Sequence, residues 1–514
     1  MIKQVKLHSS YNPQKEAERF CAAIQGNPKI IVITEPGESY LAPILRKQFP
    51  YTKLIAMRYT DNYFLNSDQL WDKVWRPATG NPAFFLINNI PDEFLSSSLF
   101  LPWKAAENIW PDSASWVWKE ISEAIRIMQS VIATRSFFGK KWLKNMGENF
   151  IFTKRLAYLN LFAEKKETDN ENYFFAGAGP GLDKVLNNCS KTIDTIFTIA
   201  AASALPALDA RNINVNLCIS TDGGYWAGNH LKYLSNDKFN ETALAFPLEA
   251  KIPFNILKKN PCIFLSYGSS LESLFFKNLG IEPLYAKRNG TVSGTAIDLL
   301  LDHTNGRIFI AGLDLKGSKG FYHCTPHESL RQKETKVNRL DPISNFAAIS
   351  NFDLRSLKTY EKWFARIPKE RAVRLFKIGN NIQPLGNIKA VSEEEFKIKI
   401  FTGKEEGKSS NKTEEKKLKI LESKPLEEKK SLLSEIYKDI KQEIKNGIFF
   451  DKIIVNAKGK NISTPEKELC EFISFQNYII FLKEKDTHNE QEIKLKLENE
   501  ITSFLDNQIK RLRP

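Results

Sequence analysis

Long apolar runs are missing from this chain of 514 residues. No stretch of about 20 apolar residues occurs, which is the length that a helix needs to span a bilayer. The first residues, MIKQVKLHSSYNPQKEAERF, also lack the apolar core of a secretory signal. We therefore expect a protein that does not span a membrane and that works in the cytoplasm.

Cysteines are few and scattered, and no two of them form a C-x-x-C pair. The absence of such pairs argues against a zinc ribbon, and the low count argues against a disulfide scaffold. The pattern is typical of a reducing compartment. The six are Cys21, Cys189, Cys218, Cys262, Cys324 and Cys470.

Basic residues are in excess, with a formal net charge of +14. Such an excess favours an anionic partner but does not choose among nucleotides, nucleic acids and acidic membranes. No nucleic-acid-binding module and no stripe of interleaved basic and aromatic residues appears, so we expect no nucleic-acid partner. With 42% hydrophobic and 26% charged residues, the chain has the composition of an ordinary globular protein of two or three domains.

Residues 1–150 read as a small α/β domain. The continuous apolar run Ile30–Thr34 predicts a buried strand, followed by a Gly37 loop that we expect to be a structural turn and by a helix over Tyr40–Gln48. Further strands are predicted over Thr52–Met57 and Ala83–Asn88, and an amphipathic helical stretch over 115–145. This order indicates a small Rossmann-like layer.

Residues 151–395 alternate short apolar strands with helices, as a mostly parallel sheet requires. The predicted fold class is therefore α/β, with a Rossmann-like central domain, a smaller Rossmann-like N-terminal domain and a helical C-terminal region. We place a charged linker at 396–419 and the helical region at 420–514. The predicted central strands are Tyr173–Ala176, Thr195–Ala200, Val215–Ile219, Cys262–Leu265 and Arg307–Ala311.

Four of these strands are followed by loops rich in Gly, Ser or Asp. Ligands of open α/β sheets bind beyond the carboxyl ends of the strands, so four such loops on one edge predict a ligand site. The loops are Gly177-Ala178-Gly179-Pro180-Gly181, Thr221-Asp222-Gly223-Gly224, Ser266-Tyr267-Gly268-Ser269 and Gly312-Leu313-Asp314.

The first loop has features of an anion site. Gly177 and Gly179 permit positive φ and a close backbone approach. Pro180 suits the first turn of a helix, whose free N–H groups would face the crevice and bind a phosphate. The pattern is neither the dinucleotide G-x-G-x-x-G nor a P-loop. A tight turn without a ligand is the alternative.

A second helix start follows Asn289. Ser293 or Thr295 would cap this helix, and its N-terminal amides would meet the same phosphate or ribose. Capping without a ligand is the alternative.

His323 and His327 follow the fourth loop in GFYHCTPHE. Imidazole is suited to take a proton near neutral pH, so His323 is our candidate general base. The spacing of the two histidines is also metal-like, but it lacks an acidic ligand nearby. A surface position without a catalytic role is the alternative.

Several segments, in this order, resemble the central domain of the motility accessory factor (Maf) glycosyltransferases. They are FFAGAGPGLDKVL, TIAAASALPALDARNINVNLCISTD, NGTVSGTAIDLL and RIFIAGLDLKGSKGFYH. Upstream, IIVITEPGESYLAPILRKQFPYTKLIAMRY resembles the Rossmann-like domain that precedes it in that family, and the resemblance covers about residues 25–390. It implies transfer of a nonulosonic acid, a sialic-acid-like sugar, from a CMP donor to Ser or Thr of flagellin.

The central segments also resemble bacterial sialyltransferases, in which G-N-G-P-S-L and a T-S-G segment bind the nucleotide. The matching residues here replace an Asn by Ala178 and a Ser by Gly181, which removes two polar contacts but leaves the backbone ones. The resemblance implies that Asp222 and Asp314 orient the donor or acceptor, and capping of loop amides is the alternative for both. The implied nucleotide-sugar contacts are Gly177, Ala178, Gly179, Pro180, Gly181, Asp222, Ser293, Gly294, Thr295 and Gly312, with His323 and Asp314 as catalytic residues.

No D-x-D motif occurs, so we expect no metal requirement and no cofactor beyond the sugar nucleotide. Two other functions remain open. The central domain also resembles archaeal-type 6-hydroxymethylpterin pyrophosphokinases of the MptE type, which use ATP. The altered loop is also compatible with a non-catalytic protein that only binds flagellin.

Overall fold

The computed structural model describes residues 5–158, 172–315, 323–342, 360–379, 384–405, 419–458, 463–484 and 489–512. The chain divides into two compact units. The first comprises Met1–Gly139, Ile453–Ile462 and Leu469–Phe504. The second comprises Lys140–Lys452, Ser463–Glu468 and Leu505–Pro514. The C-terminal residues thus contribute to both units.

The first unit contains a parallel sheet of order β3-β2-β1-β4. Its strands are β1 (Ile30–Thr34), β2 (Lys53–Met57), β3 (Lys73–Trp75) and β4 (Ser98–Pro102). All five β1 residues are buried, as the continuous apolar run predicts. The helices before residue 140 are α1 (Pro13–Ala22), α2 (Leu41–Gln48), α3 (Pro82–Asn89), α4 (Lys104–Ile109) and α5 (Pro111–Phe152).

The strand predicted over Ala83–Asn88 is wrong, because these residues form helix α3. The Asn81 side chain accepts a hydrogen bond from Phe84 N, and Pro82 occupies the first helical position. Asn followed by Pro is a helix start signal. It favours a helix for the short apolar run that follows, whose hydrophobic period alone does not distinguish a strand from a helix.

The Gly37 loop is held by a buried ionic network. Arg58 is fully buried and donates to Glu35 Oε1 at 3.0 Å, to Gly37 O at 2.8 Å and to Ser67 Oγ at 2.7 Å. Since protein groups fill the end of β1 in this way, the loop is a structural turn, as the sequence predicts.

The second unit holds a larger sheet. Its strands are β5 (Arg155–Tyr158), β6 (Asn172–Ala176), β7 (Phe197–Ala201), β8 (Leu217–Ile219), β9 (Ala243–Pro247), β10 (Cys262–Ser266), β11 (Leu284–Tyr285), β12 (Arg307–Ala311), β13 (Leu375–Ile378), β14 (Lys389–Val391) and β15 (Lys419–Glu422). Its helices through residue 405 are α6 (Gly181–Ile193), α7 (Leu205–Ala210), α8 (Tyr225–His230), α9 (Phe254–Lys259), α10 (Ser270–Leu279), α11 (Val292–His303), α12 (Glu328–Glu334), α13 (Lys369–Ala372) and α14 (Glu393–Glu405).

The strand order is β14-β13-β12-β6-β7-β8-β9-β10-β5-β15, with β11 beside β10. The recorded pairs are parallel except that β15 pairs antiparallel with β5. From β6 the chain proceeds through β7, β8, β9 and β10, and then returns to place β12 on the other side of β6. The order therefore reverses between β6 and β12, and this reversal is a topological switch point.

The remaining helices are α15 (Leu426–Lys445), α16 (Ile448–Lys458), α17 (Pro465–Lys483) and α18 (Glu490–Leu512). The α/β fold and the helical C-terminal region are confirmed, although the C-terminal region begins with strand β15 rather than with a helix. Helix α14 covers the first part of the predicted linker at 396–419, and residues 406–418 lie outside the described residues. All six cysteines are buried, and none of them forms a disulfide with another. Within the described ranges, no helix is long and apolar enough to cross a membrane.

Candidate functional site

The first and fourth loops meet at the switch point. Gly177 N donates to Ala311 O and Gly179 N donates to Gly312 O, each at 2.8 Å. Gly312 adopts a φ of +71°, whereas Gly177 and Gly179 do not need a positive φ. The glycines are instead required by close approach, because a Cβ at Gly179 would lie 2.7 Å from Gly312 O and even closer to Asp314 Oδ2.

The Asp314 carboxylate lies at the start of helix α6, which begins directly after Pro180. Its Oδ2 accepts a hydrogen bond from Gly181 N at 2.7 Å. Burial raises the pKa of Asp314, and the hydrogen bond from Gly181 N opposes this effect. Leu182 N and Asp183 N donate to Gly179 O and Pro180 O. A phosphate bound to the Gly181 amide would therefore have to displace Asp314.

The segment that carries His323 is attached to the first loop. Cys324 N donates to Ala178 O at 2.9 Å. Asp183 accepts from Thr325 N at 3.0 Å and forms an ion pair with Arg211 at 3.0 Å. Arg211 also donates to Thr325 O at 2.7 Å. The fold thus brings His323 to the same edge as Asp314 and Gly177–Gly181.

Three histidine rings form a cluster beside this edge. His323 stacks on His327 with ring centroids 3.9 Å apart, and His230 lies 4.8 Å from His327. Burial, together with the neighbouring His323 and His230, lowers the pKa of His327 to about 2. Burial and His323 also lower the pKa of His230. At least two of the three imidazoles are therefore neutral near pH 7.

The sequence did not predict the role of His230, which lies in helix α8. Its position in the sequence, shortly after the Asp222 loop, is the local signal that could have indicated a location near the sheet edge. Within the described part of the chain, no three His, Cys, Asp or Glu side chains are arranged to hold a metal ion. The spacing of His323 and His327 produces a stacked pair of rings instead.

Asp222 is exposed, and its Oδ1 accepts a hydrogen bond from Gly224 N at 2.8 Å. It thereby stabilises its own turn. It also lies close enough to His230 for its negative charge to oppose the lowering of the His230 pKa. Asp222 therefore belongs to the same edge as the histidine cluster.

Helix α11 is capped by Thr291 and not by Ser293 or Thr295. Thr291 Oγ1 accepts from Gly294 N at 2.9 Å, and the buried Thr295 donates to Lys287 O at 3.2 Å. Ser293 is partly buried. In the described residues, no hydrogen bond joins Val292–Thr295 to the first loop. The first two amides of α11, at Val292 and Ser293, donate to no described oxygen.

The third loop is occupied by a residue from the C-terminal region. Glu468 accepts hydrogen bonds from Ser270 N at 2.8 Å and Leu271 N at 3.0 Å, and so caps helix α10 together with the N-cap residue Ser269, whose Oγ accepts from Glu272 N at 3.2 Å. No local sequence pattern indicates this contact, since the partners are 197 and more residues apart. The candidate site is thus confined to the other three loops.

An ionic cluster with buried carboxylates and a half-exposed arginine, Arg288, lies between β9, β10 and α11. Arg288 donates to both carboxylate oxygens of Glu249 at 2.7 Å, and its guanidinium lies 4.5 Å from the centre of the Tyr267 ring. Burial and the nearby Glu249 raise the pKa of Glu272 to about 8. No local sequence pattern indicates this cluster, because its members are dispersed between residues 249 and 288.

Comparisons with known proteins bear on the family and the fold of the chain. Residues 140–320 match the family model described as 6-hydroxymethylpterin diphosphokinase MptE-like. The structure of MAf glycosyltransferase from Magnetospirillum magneticum AMB-1 superposes with a TM-score of 0.57 at 11% identity, over 100% of this chain and 89% of that one. The resemblance to both is confirmed at the level of the fold and of the central domain.

Two relatives come from Treponema pallidum (strain Nichols), and both are described as uncharacterized proteins. One is 37% identical over 321 residues, which are 62% of this chain and 69% of that protein. The other is 27% identical over 128 residues, which are 24% of this chain and 56% of that protein. This chain therefore belongs to the same family as the first Treponema pallidum protein, and its fold is similar to that of the MAf glycosyltransferase.

Proposed function

We propose that this protein is a glycosyltransferase that moves a nonulosonic acid from a CMP-activated donor to Ser or Thr of flagellin. One observation carries the proposal: the first and fourth loops meet at the switch point of a parallel sheet, with His323 attached to the same edge through Cys324 and Thr325. The likeness of the whole chain to a MAf glycosyltransferase supports this choice of reaction.

The reaction is a displacement at the anomeric carbon of the sugar. The bond from that carbon to the phosphate oxygen breaks, and CMP leaves with the electron pair. The acceptor hydroxyl oxygen forms the new bond, while His323 takes its proton. Stacking on the neutral His327 leaves an uncharged neighbour beside the base, so no buried cation opposes the transfer of the proton to His323.

The leaving phosphate needs hydrogen-bond donors. The first amides of α6 already donate to protein oxygens, including Asp314. The amides of Val292 and Ser293 at the start of α11, with the Ser293 hydroxyl, are therefore the proposed phosphate contacts, because a helix N-terminus favours anions. No metal takes part in this scheme.

A diphosphokinase acting on a pterin with ATP is the second candidate. The match of residues 140–320 to an MptE-like model favours it. So does the Asp314 carboxylate in the crevice, since a carboxylate suits a magnesium–phosphate complex better than a bare phosphate. A protein that binds flagellin without catalysis is the third candidate.

Calorimetric titration of the full chain with CMP, CMP-N-acetylneuraminic acid, UDP and ATP, with and without magnesium, separates the three. Metal-independent binding of the CMP compounds supports the glycosyltransferase. Binding of ATP only with magnesium would replace it with the diphosphokinase. Binding of no nucleotide, together with retention of flagellin, would leave the non-catalytic protein.

The transfer itself is tested by the intact mass of flagellin co-expressed with the full chain and a nonulosonic acid pathway. We expect His323→Asn to abolish the added sugar mass while leaving CMP affinity unchanged. His303→Asn, at the end of α11, is the matched control. Equal product from both variants would remove His323 from the reaction.

A further inference from the structure

The segment Ser220–His230 carries two exposed aromatic side chains at the edge of the sheet. Tyr225 is 69% exposed and Trp226 is 43% exposed, and their ring centroids lie 5.5 Å apart. They form the first turn of α8, directly after the Asp222 loop. Large aromatic rings left exposed as a pair beside a crevice are available to cover a ligand ring.

The loop before this pair is fixed in place. Asp222 accepts from Gly224 N at 2.8 Å, and its carbonyl accepts from Lys251 N at 3.0 Å. A Cβ at Gly223 would lie 2.6 Å from Trp142 Cδ1, so this backbone packs directly on the Trp142 ring. The aromatic pair is therefore presented by an anchored turn, which limits the ordering entropy that binding would cost.

The same segment contains two buried polar atoms that lack a partner among the described residues, Ser220 Oγ and His230 Nδ1. Ser220 is 1% exposed. Leu217 and Ile219 lie in the core cluster that includes α11 residues, so strand alternation directs Ser220 to the opposite face. Buried polar atoms normally have hydrogen-bond partners, and these two are suited to the hydroxyls of a ligand.

The segment also adjoins the proposed base. His230 contacts His327, which stacks on His323. The reacting carbon of the donor must come within reach of His323, so the ring that bears this carbon lies nearest to His230 and its segment. The nucleobase is separated from that carbon by the phosphate and the ribose.

We propose that Ser220–His230 forms the subsite for the ring of the transferred sugar. Tyr225 and Trp226 cover its apolar C–H face, while Ser220, Asp222 and His230 bind its hydroxyl and amide groups. A sugar ring has one apolar face and a polar rim, and this combination of aromatic and polar groups matches both. The inference rests on the proposed glycosyltransferase function and adds the residues that recognise the sugar.

The test compares two ligands on the full chain. CMP and CMP-N-acetylneuraminic acid are titrated by calorimetry into the wild type, Trp226→Ala, Tyr225→Ala and Ser220→Ala. Tyr51→Ala is the matched control, because Tyr51 is 100% exposed. We expect each of the three variants to weaken binding of the CMP-sugar by about tenfold and to leave CMP affinity unchanged.

Two results would overturn the inference without touching the proposed function. An equal loss for CMP and the CMP-sugar would assign the aromatic pair to the nucleobase. Unchanged affinity for both ligands, with a weaker interaction with flagellin, would assign it to the acceptor. If the wild type binds neither CMP compound, the proposed function fails and the inference fails with it.

Discussion

Glu272 is a buried carboxyl in the first turn of α10. Its Oε2 accepts from Ser266 Oγ and Tyr267 N, while Oε1 has no partner among the described residues. Burial comes first among the causes that raise its pKa from 4.5 to about 8, and the nearby Glu249 adds to it. The side chain is therefore largely protonated at neutral pH in the folded protein.

This raised pKa predicts a pH dependence of stability. The contribution of Glu272 is fully present below pH 4.5 and is lost as the pH rises towards 8, because the unfolded chain releases the proton first. We expect Glu272→Gln to remove this loss and to raise the thermal midpoint at pH 8 more than at pH 5. Thermal unfolding of wild type and variant at both pH values measures this change in the thermal midpoint. Equal shifts at the two values would contradict a shifted pKa at this site.

The burial of His327 has the opposite effect on the pH dependence of stability. Its pKa is lowered from 6.5 to about 2, with burial as the largest cause. The contribution of His327 to the free energy of unfolding is present above pH 6.5 and decreases as the pH falls. In this range the unfolded chain binds a proton at His327 and the folded chain does not. Each pH unit below that value costs up to about 1.4 kcal/mol.

We expect His327→Asn to show a smaller loss of stability than the wild type between pH 7 and pH 5. Chemical denaturation at several pH values gives the free energy of unfolding for this comparison. Parallel curves for wild type and His327→Asn would show that folding does not lower the pKa of His327.

At the scale of elements, the contact of the first and fourth loops depends on Gly179. A Cβ there would lie 2.7 Å from Gly312 O, a backbone atom that cannot rotate away. The start of α6 and the end of β12 would have to separate. Since both loops lie at the switch point, the same separation would displace Asp314.

We therefore expect Gly179→Ala to destabilise the protein by about 1–3 kcal/mol, the cost of overpacking, and to weaken nucleotide binding. Gly228→Ala is the control for the stability measurement, because its nearest neighbour would be a Lys251 side-chain carbon at 3.4 Å. Denaturant midpoints and calorimetry measure the two effects. Wild-type stability of Gly179→Ala would show that the two loops are not in close contact.

Elements were predictable where their signals are local. The bounds of β1 and β12 agree with the sequence prediction, because strands buried in a parallel sheet read as continuous apolar runs. The same signal failed at Ala83–Asn88, where the Asn81 cap and Pro82 start a helix. Short strands such as β5 and β13 lack any distinguishing period, and only pairing with their neighbours defines them.

At the scale of the whole molecule, the C-terminal region is part of both compact units. In the second unit, Glu468 completes the N-terminus of α10. The buried side chains of Leu433, Ile436 and Tyr437 in α15 add to the same unit. The folded central domain therefore depends on residues beyond the predicted linker.

We expect Glu468→Ala to lower the free energy of unfolding by about 1–2 kcal/mol, the usual cost of losing a helix cap. Glu427→Ala is the control, since the Glu427 side chain is 73% exposed and forms a surface ion pair with Lys430. Denaturant unfolding of the full-length variants measures both. Equal stability of the two variants would show that the cap contributes nothing.

Local sequence patterns were enough to predict the α/β class and the loops at the carboxyl edge, and they named His323 as the candidate base. These features depend on apolar runs, on glycines after strands and on residue chemistry, all of which are local. Which side chains occupy each loop depends on the tertiary structure. Asp314 reaches Gly181 across 133 residues and Glu468 reaches Leu271 across 197. Such partners are chosen by the packing of distant elements, which no local pattern encodes.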